Sequence, residues 1–184
     1  MVLLFLADGF EEIEALTPVD ILRRAGIDIR TVAVTDGESC IVKGSHCIPV
    51  EADIKLSEAE KICPTPEMII LPGGMPGAKN LDANETVDHY VTDSARRGAY
   101  IAAICAAPMI PGKRGLLDGK RATCFPGFED HLTGAVLTGG RVETDGQFIT
   151  ACGMGAATEF ALAIVKVMKG ESAAEEMRRA VLAK

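Results

Sequence analysis

The chain has 184 residues, of which 48% are hydrophobic, and a formal net charge of −7. This length and apolar content suffice for one core, so we expect a single domain over residues 1–184. The acidic balance, the few aromatic residues and the lack of tryptophan argue against a nucleic-acid surface. The sequence contains no run of about 18 apolar residues, so we predict no membrane span. A strand-like run follows Met1 directly, with no basic segment before it. We therefore expect a cytoplasmic protein without a signal peptide.

The cysteine pattern bears on metal binding and redox state. The six cysteines form no C-x-x-C pair, and the three histidines are scattered along the chain. This spacing argues against a zinc site and favours reduced thiols in a cytosolic protein. We predict no metal and no cofactor. The cysteines are Cys40, Cys47, Cys63, Cys105, Cys124 and Cys152.

The chain opens with a pattern typical of a β-α-β unit. Residues 2–6 form an apolar strand, and Glu11 and Glu12 begin a helix with acidic side chains at its positive end. Pro18 predicts a kink or break in that helix, and Gly26 ends it. A β-branched strand follows at residues 29–34.

The next segment predicts shorter elements. A turn at Asp36 leads into one or two short edge strands within residues 40–50, followed by a short helix at 56–62 and a buried strand at 68–71. Residues 72–77 read PGGMPG, so the backbone there turns tightly or approaches another group closely. Asn80 or Asn84 caps a helix that runs to Arg97.

The second half continues the alternation of strands and helices. We predict strands at 100–104 and 121–124, a hairpin of residues 141–144 and 147–150 around Asp145, and helices at 156–169 and from Glu171 to the C-terminus. This order predicts an α/β sandwich with a mostly parallel sheet. Ligands of such folds bind at the carboxyl ends of the strands.

Cys105 lies at one of these strand ends. The buried strand 100–104 stops at it, and Ala106, Ala107 and Pro108 suit the first turn of a helix. The open amides of a helix N-terminus would stabilise a thiolate, so the pattern indicates a nucleophile elbow. The alternative is that Cys105 is only a small buried apolar residue.

Two other loops converge with Cys105 at the same edge of the sheet. One carries Glu11, Glu12 and Glu14, any of whose carboxyl groups could hold or move a proton beside the sulfur, and the other carries Gly73 and Gly74. The amides of Gly74 and Ala106 could form an oxyanion hole. Glu11 and Glu12 are better explained as solvated first-turn acids, and residues 153–158 as a tight turn rather than half of a dinucleotide-binding fingerprint.

Taken together, six segments resemble the DJ-1/ThiJ/PfpI superfamily, and its DJ-1 branch most closely, over nearly the whole chain. The resemblance implies a flavodoxin-like three-layer sandwich and a homodimer. It implies Cys105 as an oxidisable nucleophile, Glu14 as its protonated partner and Gly74 and Ala106 as the amides facing the sulfur. The segments are residues 7–14 (ADGFEEIE), 18–20 (PVD), 23–26 (RRAG), 71–74 (LPGG), 102–108 (AAICAAP) and 159–165 (EFALAIV).

The resemblance leaves three functions open. The first is an enzyme acting on small carbonyl compounds or glycated groups, such as a glutathione-independent glyoxalase that converts methylglyoxal to lactate, or a deglycase. The second is a non-catalytic redox sensor or chaperone that works through oxidation of Cys105. The third is an amidase or peptidase, against which Ala106 argues, because that branch has histidine directly after the cysteine.

Other positions also differ from the residues typical of this superfamily. Phe125 stands where some relatives have a pocket histidine, and His46 where some have another basic residue. Pro111 predicts that the helix after the elbow is short or distorted. A resolving disulfide between Cys124 and Cys105 is a further hypothesis, constrained by the strict distance that such a bond requires.

Overall fold

A computed structural model describes residues 1–35, 37 and 39–183. Within these residues the chain builds a seven-stranded sheet in which six strands are parallel and one edge strand is antiparallel. Three of the inner strands are buried along their whole length, as expected where helices cover both faces. In spatial order the strands are β10 (Val142–Asp145), β11 (Phe148–Ala151), β7 (Tyr100–Ile104), β6 (Met68–Leu71), β1 (Val2–Ala7), β2 (Ile29–Val34) and β5 (Ile54–Lys55).

Helices on both faces of the sheet make three layers. Alternate side chains of β1 enter different cores: Leu4 and Leu6 join one apolar cluster, and Leu3 and Phe5 join the other. This confirms the predicted flavodoxin-like three-layer sandwich. The first cluster includes residues of α1 (Glu12–Arg24), α6 (Ala157–Lys169) and α7 (Glu171–Ala180), and the second those of α2 (Leu56–Ile62), α3 (Gly77–Ala83), α4 (Glu85–Arg97) and α5 (Met109–Lys113).

The strand order fixes where a ligand would bind. From β1 the chain crosses to β2 on one side, and it later returns to β6 on the other side of β1. The order therefore reverses between β1 and β6, and the crevice at the carboxyl ends of such strands is the usual ligand site of this fold. The loops that follow β1, β6 and β7 all begin at this edge of the sheet.

Two small sheets lie outside the main one. The strands predicted within residues 40–50 form an antiparallel hairpin of β3 (Ile41–Lys43) and β4 (Pro49–Glu51), which does not join the edge of the main sheet. The strand predicted at 121–124 is only β8 (Arg121–Ala122), and it pairs with β9 (Val136–Leu137), which the sequence did not reveal. The turn predicted at Asp36 lies outside the described residues.

Several predicted boundaries change in the structure. The break expected at Pro18 does not occur, because α1 packs a buried face that includes Val19 and Leu22, and this burial outweighs the loss of one hydrogen bond. Of the two caps predicted for the helix that runs to Arg97, Asn84 is confirmed, because it precedes α4 and accepts a hydrogen bond from the Val87 amide at 3.0 Å. Asn80 lies inside a separate helix, α3. Among the described residues, no helix is both long and apolar enough to span a membrane.

Candidate active site

The turn after β7 holds Cys105 in a conformation that few residues adopt. Its φ of +65° lies in the left-handed region, and the half-buried side chain follows directly on the buried strand. Its amide donates to the Ala151 carbonyl, and its carbonyl accepts from the Phe125 amide, both at 2.8 Å. Such strain costs roughly 1–2 kcal/mol for a residue with a β-carbon. The strand therefore ends in the predicted sharp turn at Cys105, and hydrogen bonds to Ala151 and Phe125 hold that turn in place.

The source of positive potential at the sulfur differs from the prediction. Residues 105–108 form a series of turns, and α5 begins only at Met109 and spans five residues. The prediction that Ala106 opens a helix is wrong, because Pro111 and Gly112 restrict helix formation to this short segment. The backbone donors to the sulfur are instead the separate amides of Ala106 and Gly74.

Glu14 is the carboxyl group in contact with this sulfur. It lies in the first turn of α1 and is only 1% exposed. Its side chain is hydrogen-bonded to Cys105, and it accepts from the amides of Gly73 (3.0 Å) and Met154. Burial, and secondarily the negative charge of Glu11, raises the pKa of Glu14 to about 7. The structure thus brings together all four of the predicted residues Glu14, Gly74, Cys105 and Ala106.

Cys105 and Glu14 titrate as a coupled pair. Burial raises the pKa of the thiol, and the charge of an ionised Glu14 and the hydrogen bond to it raise that pKa further, to about 12, against the opposing effect of the Ala106 and Gly74 amides. A proton on Glu14 removes the like charge and makes the carboxyl group a hydrogen-bond donor, so its effect on the thiol reverses. A thiolate at Cys105 is therefore favoured only while Glu14 is neutral, which is the protonated state that the family resemblance implies for Glu14.

The glycines after β6 are required by close contacts. A β-carbon on Gly73 would lie 2.6 Å from both the Cys105 Cβ and the Glu14 Oε2. Gly74 has a φ of +85°, and a β-carbon there would lie 2.3 Å from the Glu11 nitrogen. Real β-carbons do not approach other atoms this closely, so the backbone reaches the sulfur only because these two residues lack side chains.

Glu11 and Glu12 are both buried, in contrast to the prediction of solvated acids. Glu11 caps α1, because its Oε2 accepts a hydrogen bond from the Glu14 amide at 2.7 Å. Glu12 anchors the β3–β4 turn, because its two oxygens accept from the amide and the ring Nδ1 of His46, each at 2.8 Å. Burial alone would raise the pKa of Glu12, but these hydrogen bonds lower it to about 2. The bond to Glu12 in turn raises the pKa of His46.

Potential metal ligands were also located among the described residues. Donor atoms of Glu11, Glu12 and His46 lie within 4.8 Å of one another. Hydrogen bonds within the chain already engage both oxygens of Glu12 and one oxygen of Glu11. Their arrangement is thus explained by helix capping and by anchoring of the hairpin.

A fourth loop, between β11 and α6, completes the site and was not predicted as part of it. Residues 153–158 had suggested a tight turn, and the structure shows such a turn at Gly153, from which the Met154 amide reaches Glu14. Arg141 holds this turn by binding the Gly155 carbonyl and both oxygens of Glu159. The strand order could have indicated this loop from the sequence, because the loop follows β11, the parallel strand next to β7.

The pair considered for a resolving disulfide is not bonded in this structure. Cys124 and Cys105 are both free thiols.

The sequence is similar to those of known proteins over most of its length. The sequence model described as the DJ-1/PfpI family matches residues 1–167. The chain is 37% identical to protein DJ-1 homolog B of Arabidopsis thaliana over 98% of its own length but spans only 41% of that relative. It is 35% identical to the Parkinson disease protein 7 homolog of Danio rerio, covering 99% of this chain and 96% of the relative.

Two further similarities bear on activity and structure. A protein of Caenorhabditis elegans named glutathione-independent glyoxalase DJR-1.2 is 30% identical, covering 87% of this chain and 83% of that protein. The solved structure of oxidized Toxoplasma gondii DJ-1 superposes with a TM-score of 0.92 at 34% identity, covering 98% of this chain and 97% of the other.

Proposed function

The chain belongs to the DJ-1/PfpI family, and from this membership we propose that it converts small 2-oxoaldehydes such as methylglyoxal to 2-hydroxy acids such as lactate, without glutathione. The observation that carries the proposal is the hydrogen bond between the Glu14 carboxyl group and the Cys105 thiol. A nucleophile and a proton carrier in contact are the two groups that this reaction needs. The 30% identical glyoxalase of C. elegans supports the same reaction.

The first step is addition of sulfur to the aldehyde. With Glu14 neutral, the Cys105 thiolate attacks the aldehyde carbon, and the carbonyl electron pair moves to its oxygen. Glu14 then gives its proton to that oxygen, which produces a hemithioacetal. The amides of Gly74 and Ala106, which point at the sulfur in the resting state, would stabilise the transient negative charge.

The following steps move hydrogen between two neighbouring carbons. The Glu14 carboxylate removes the proton from the former aldehyde carbon, giving an enediolate, and returns it to the adjacent carbon, while the first oxygen passes its proton to the second. The resulting thioester is hydrolysed by water to the 2-hydroxy acid and the free thiol. The aldehyde carbon is oxidised and its neighbour is reduced, so the overall change is addition of one water and no external redox reagent is consumed.

The near-neutral pKa of Glu14 suits this role. A group with a pKa of about 7 is present in both protonation states at neutral pH, so it can donate in one step and accept in the next. Addition of the same thiolate to the carbonyl group of an early glycation adduct would be the corresponding deglycase reaction. A peptidase is less well supported, because a carboxyl group rather than an imidazole contacts the sulfur.

A redox-sensing role is the second candidate. Cys105 is half-buried and surrounded by hydrogen-bond donors that would stabilise a sulfinate. The oxidized state of the structurally similar T. gondii protein supports this reading. One thiol can serve both roles, because oxidation and catalysis each begin from the thiolate.

We also propose that the chain forms a homodimer through the outer face of α1. Ile13 and Leu16 on that face are 49% and 38% exposed, and Ile13 lies beside Glu14 in the sequence. Large apolar side chains grouped on one helix face are typical of an interface. Such a dimer would place the partner close to the mouth of the site.

A carbonyl-substrate screen tests the proposed enzyme. Purified wild type should form lactate from methylglyoxal, whereas Cys105→Ser and Glu14→Gln should form none above the buffer rate. Lactate formation by the Cys105→Ser variant would refute the mechanism, and an inactive wild type would leave the sensor role as the better account.

A further inference from the structure

Phe125 places an aromatic ring at the Cys105 site that the proposed chemistry does not use. Its amide donates to the Cys105 carbonyl at 2.8 Å, so its backbone is fixed directly to the elbow. Two residues earlier, the Thr123 amide donates to the buried Thr150 hydroxyl at 3.0 Å. The segment that carries the ring is thus attached both to the elbow and to β11.

The ring also lies near the carboxyl group of Glu14. A β-carbon placed on Gly153 would lie 3.3 Å from the Phe125 Cδ2 and 3.9 Å from the Glu14 Oε1. The ring edge and the carboxyl oxygen are therefore both within 4 Å of the position that a Gly153 side chain would occupy.

The ring is accessible from solvent. Phe125 is 47% exposed although Glu14, close to its ring, is almost completely buried. Single exposed apolar residues are common on protein surfaces and need no explanation by themselves. This one differs because its backbone amide is bonded to the carbonyl of Cys105 and its ring lies near the same glycine as the Glu14 carboxyl group.

From this placement we propose that Phe125 is a specificity-determining residue, and that the preferred substrates are 2-oxoaldehydes whose ketone carbon bears an aryl group. This proposal rests on the proposed function. In this proposal the aldehyde carbon is bonded to the sulfur, the neighbouring carbon is within reach of Glu14, and the substituent on that carbon extends toward the ring of Phe125. An aryl group there stacks on the ring and removes its exposed face from water, whereas the methyl group of methylglyoxal is too small to cover it.

Steady-state kinetics with phenylglyoxal and methylglyoxal test the proposal. The readout is the ratio of kcat/KM for the two aldehydes, in which changes common to both cancel. An aromatic contact together with the apolar surface it buries corresponds to about a tenfold change in this ratio. We expect Phe125→Ala to lower the ratio by about that factor, Phe125→Leu to give an intermediate value and Phe125→Tyr to keep the wild-type ratio.

A matched control separates this effect from a general loss of exposed apolar surface. Leu137 in β9 is also 47% exposed, and Leu137→Ala should leave the ratio unchanged. Thermal melting of every variant establishes that it is folded. An unchanged ratio in folded Phe125→Ala, or an equal fall in Leu137→Ala, overturns the proposal.

A second measurement distinguishes failure of this proposal from failure of the proposed function. The rate of Cys105 alkylation by phenacyl bromide relative to iodoacetamide, followed by mass spectrometry, needs only a reactive thiol. This relative rate should fall in Phe125→Ala if the ring binds aryl groups. If wild type converts neither aldehyde, the glyoxalase function is wrong and so is the substrate preference. The alkylation ratio then decides whether an aryl subsite remains: a fall in Phe125→Ala supports it, and no change refutes it.

Discussion

The Glu14 carboxyl group is hydrogen-bonded to the Cys105 thiol in a pocket where Glu14 is almost completely buried. Each group sets the protonation of the other, because an ionised Glu14 disfavours the thiolate and a neutral Glu14 favours it. Reactivity and turnover should therefore respond differently to a change at Glu14.

The Glu14→Gln variant should separate these two properties. At pH 8–9 the wild-type carboxyl group is ionised and raises the thiol pKa, whereas a glutamine side chain carries no charge. We expect Cys105 to be alkylated by iodoacetamide faster in Glu14→Gln than in wild type, while lactate formation falls by about 10²–10⁴-fold. Stopped-flow alkylation with mass-spectrometric assignment to Cys105 measures the first, and an enzymatic lactate assay the second. Glu60→Gln, on the exposed side of α2, serves as the control, and equal slowing of both rates would contradict the coupling.

The same substitution should change the pH dependence of folding stability. The pKa of Glu14 rises from 4.5 to about 7 on folding, so the native state binds the proton more tightly than the unfolded state. Its contribution is fully present below pH 4.5 and is lost as the pH rises through 7, by up to roughly 3 kcal/mol. Urea unfolding from pH 4 to 8 should show Glu14→Gln gaining stability relative to wild type across this window. A constant difference between the two proteins would show that Glu14 does not titrate near neutrality.

Gly74 and Gly98 offer a comparison of strain with steric overlap. Both have positive φ, +85° and +75°, but a β-carbon on Gly98 meets nothing within 4 Å, whereas one on Gly74 overlaps the Glu11 nitrogen. Gly98→Ala should cost roughly 1–2 kcal/mol of unfolding free energy from its left-handed conformation alone. Gly74→Ala should cost clearly more and should also abolish lactate formation, because it displaces the loop that presents its amide to the sulfur. Equal losses in urea unfolding would show that the loop adjusts easily.

Much of the fold could be predicted because its signals are local. The strands β6 and β7 match their predicted bounds, since each is a short apolar run that is mostly buried. The strand ends then placed the loops that carry Glu14, Gly74 and Cys105 at one edge of the sheet, and the family resemblance selected Glu14 among the three acids of its loop. Pro18 shows where local reasoning failed, because packing of the α1 face overrode its helix-breaking tendency.

The parts of the site that could not be predicted depend on contacts distant in sequence. The Met154 amide reaches Glu14 as a backbone group, and a backbone donor leaves no trace in residue type. Glu12 looks like a surface acid until His46 is brought against it by the hairpin. The pKa of Cys105 depends on burial and on Glu14, neither of which the sequence around the elbow reveals.

The proposed dimer predicts that Ile13→Asp will give a monomer. A charged side chain at that position would have to be buried without a partner in the interface, which is strongly unfavourable. Size-exclusion chromatography with light scattering should show the mass falling from twice the chain mass to 19.4 kDa. Ile62→Asp is the matched control, because Ile62 is similarly exposed but lies on α2 at the opposite face of the sheet. A wild type that is already monomeric would refute the interface.

The sensor role predicts that Cys105 is oxidised before the other five cysteines. Burial, and secondarily the negative charge of Glu129, raises the pKa of Cys124 to about 11. Within the described part of the chain no amide offsets this as Ala106 and Gly74 do at Cys105, so Cys124 should react slowly. Exposed Cys47 is the more demanding comparison, since peroxide reaches it freely. After mild peroxide treatment, mass spectrometry should find sulfinate at Cys105 first, because its hydrogen-bond donors stabilise that product over further oxidation. Glu14→Asp, whose shorter side chain weakens the contact, should shift the product toward sulfonate. Earlier oxidation of Cys47 would remove the sensor role while leaving the enzymatic proposal intact.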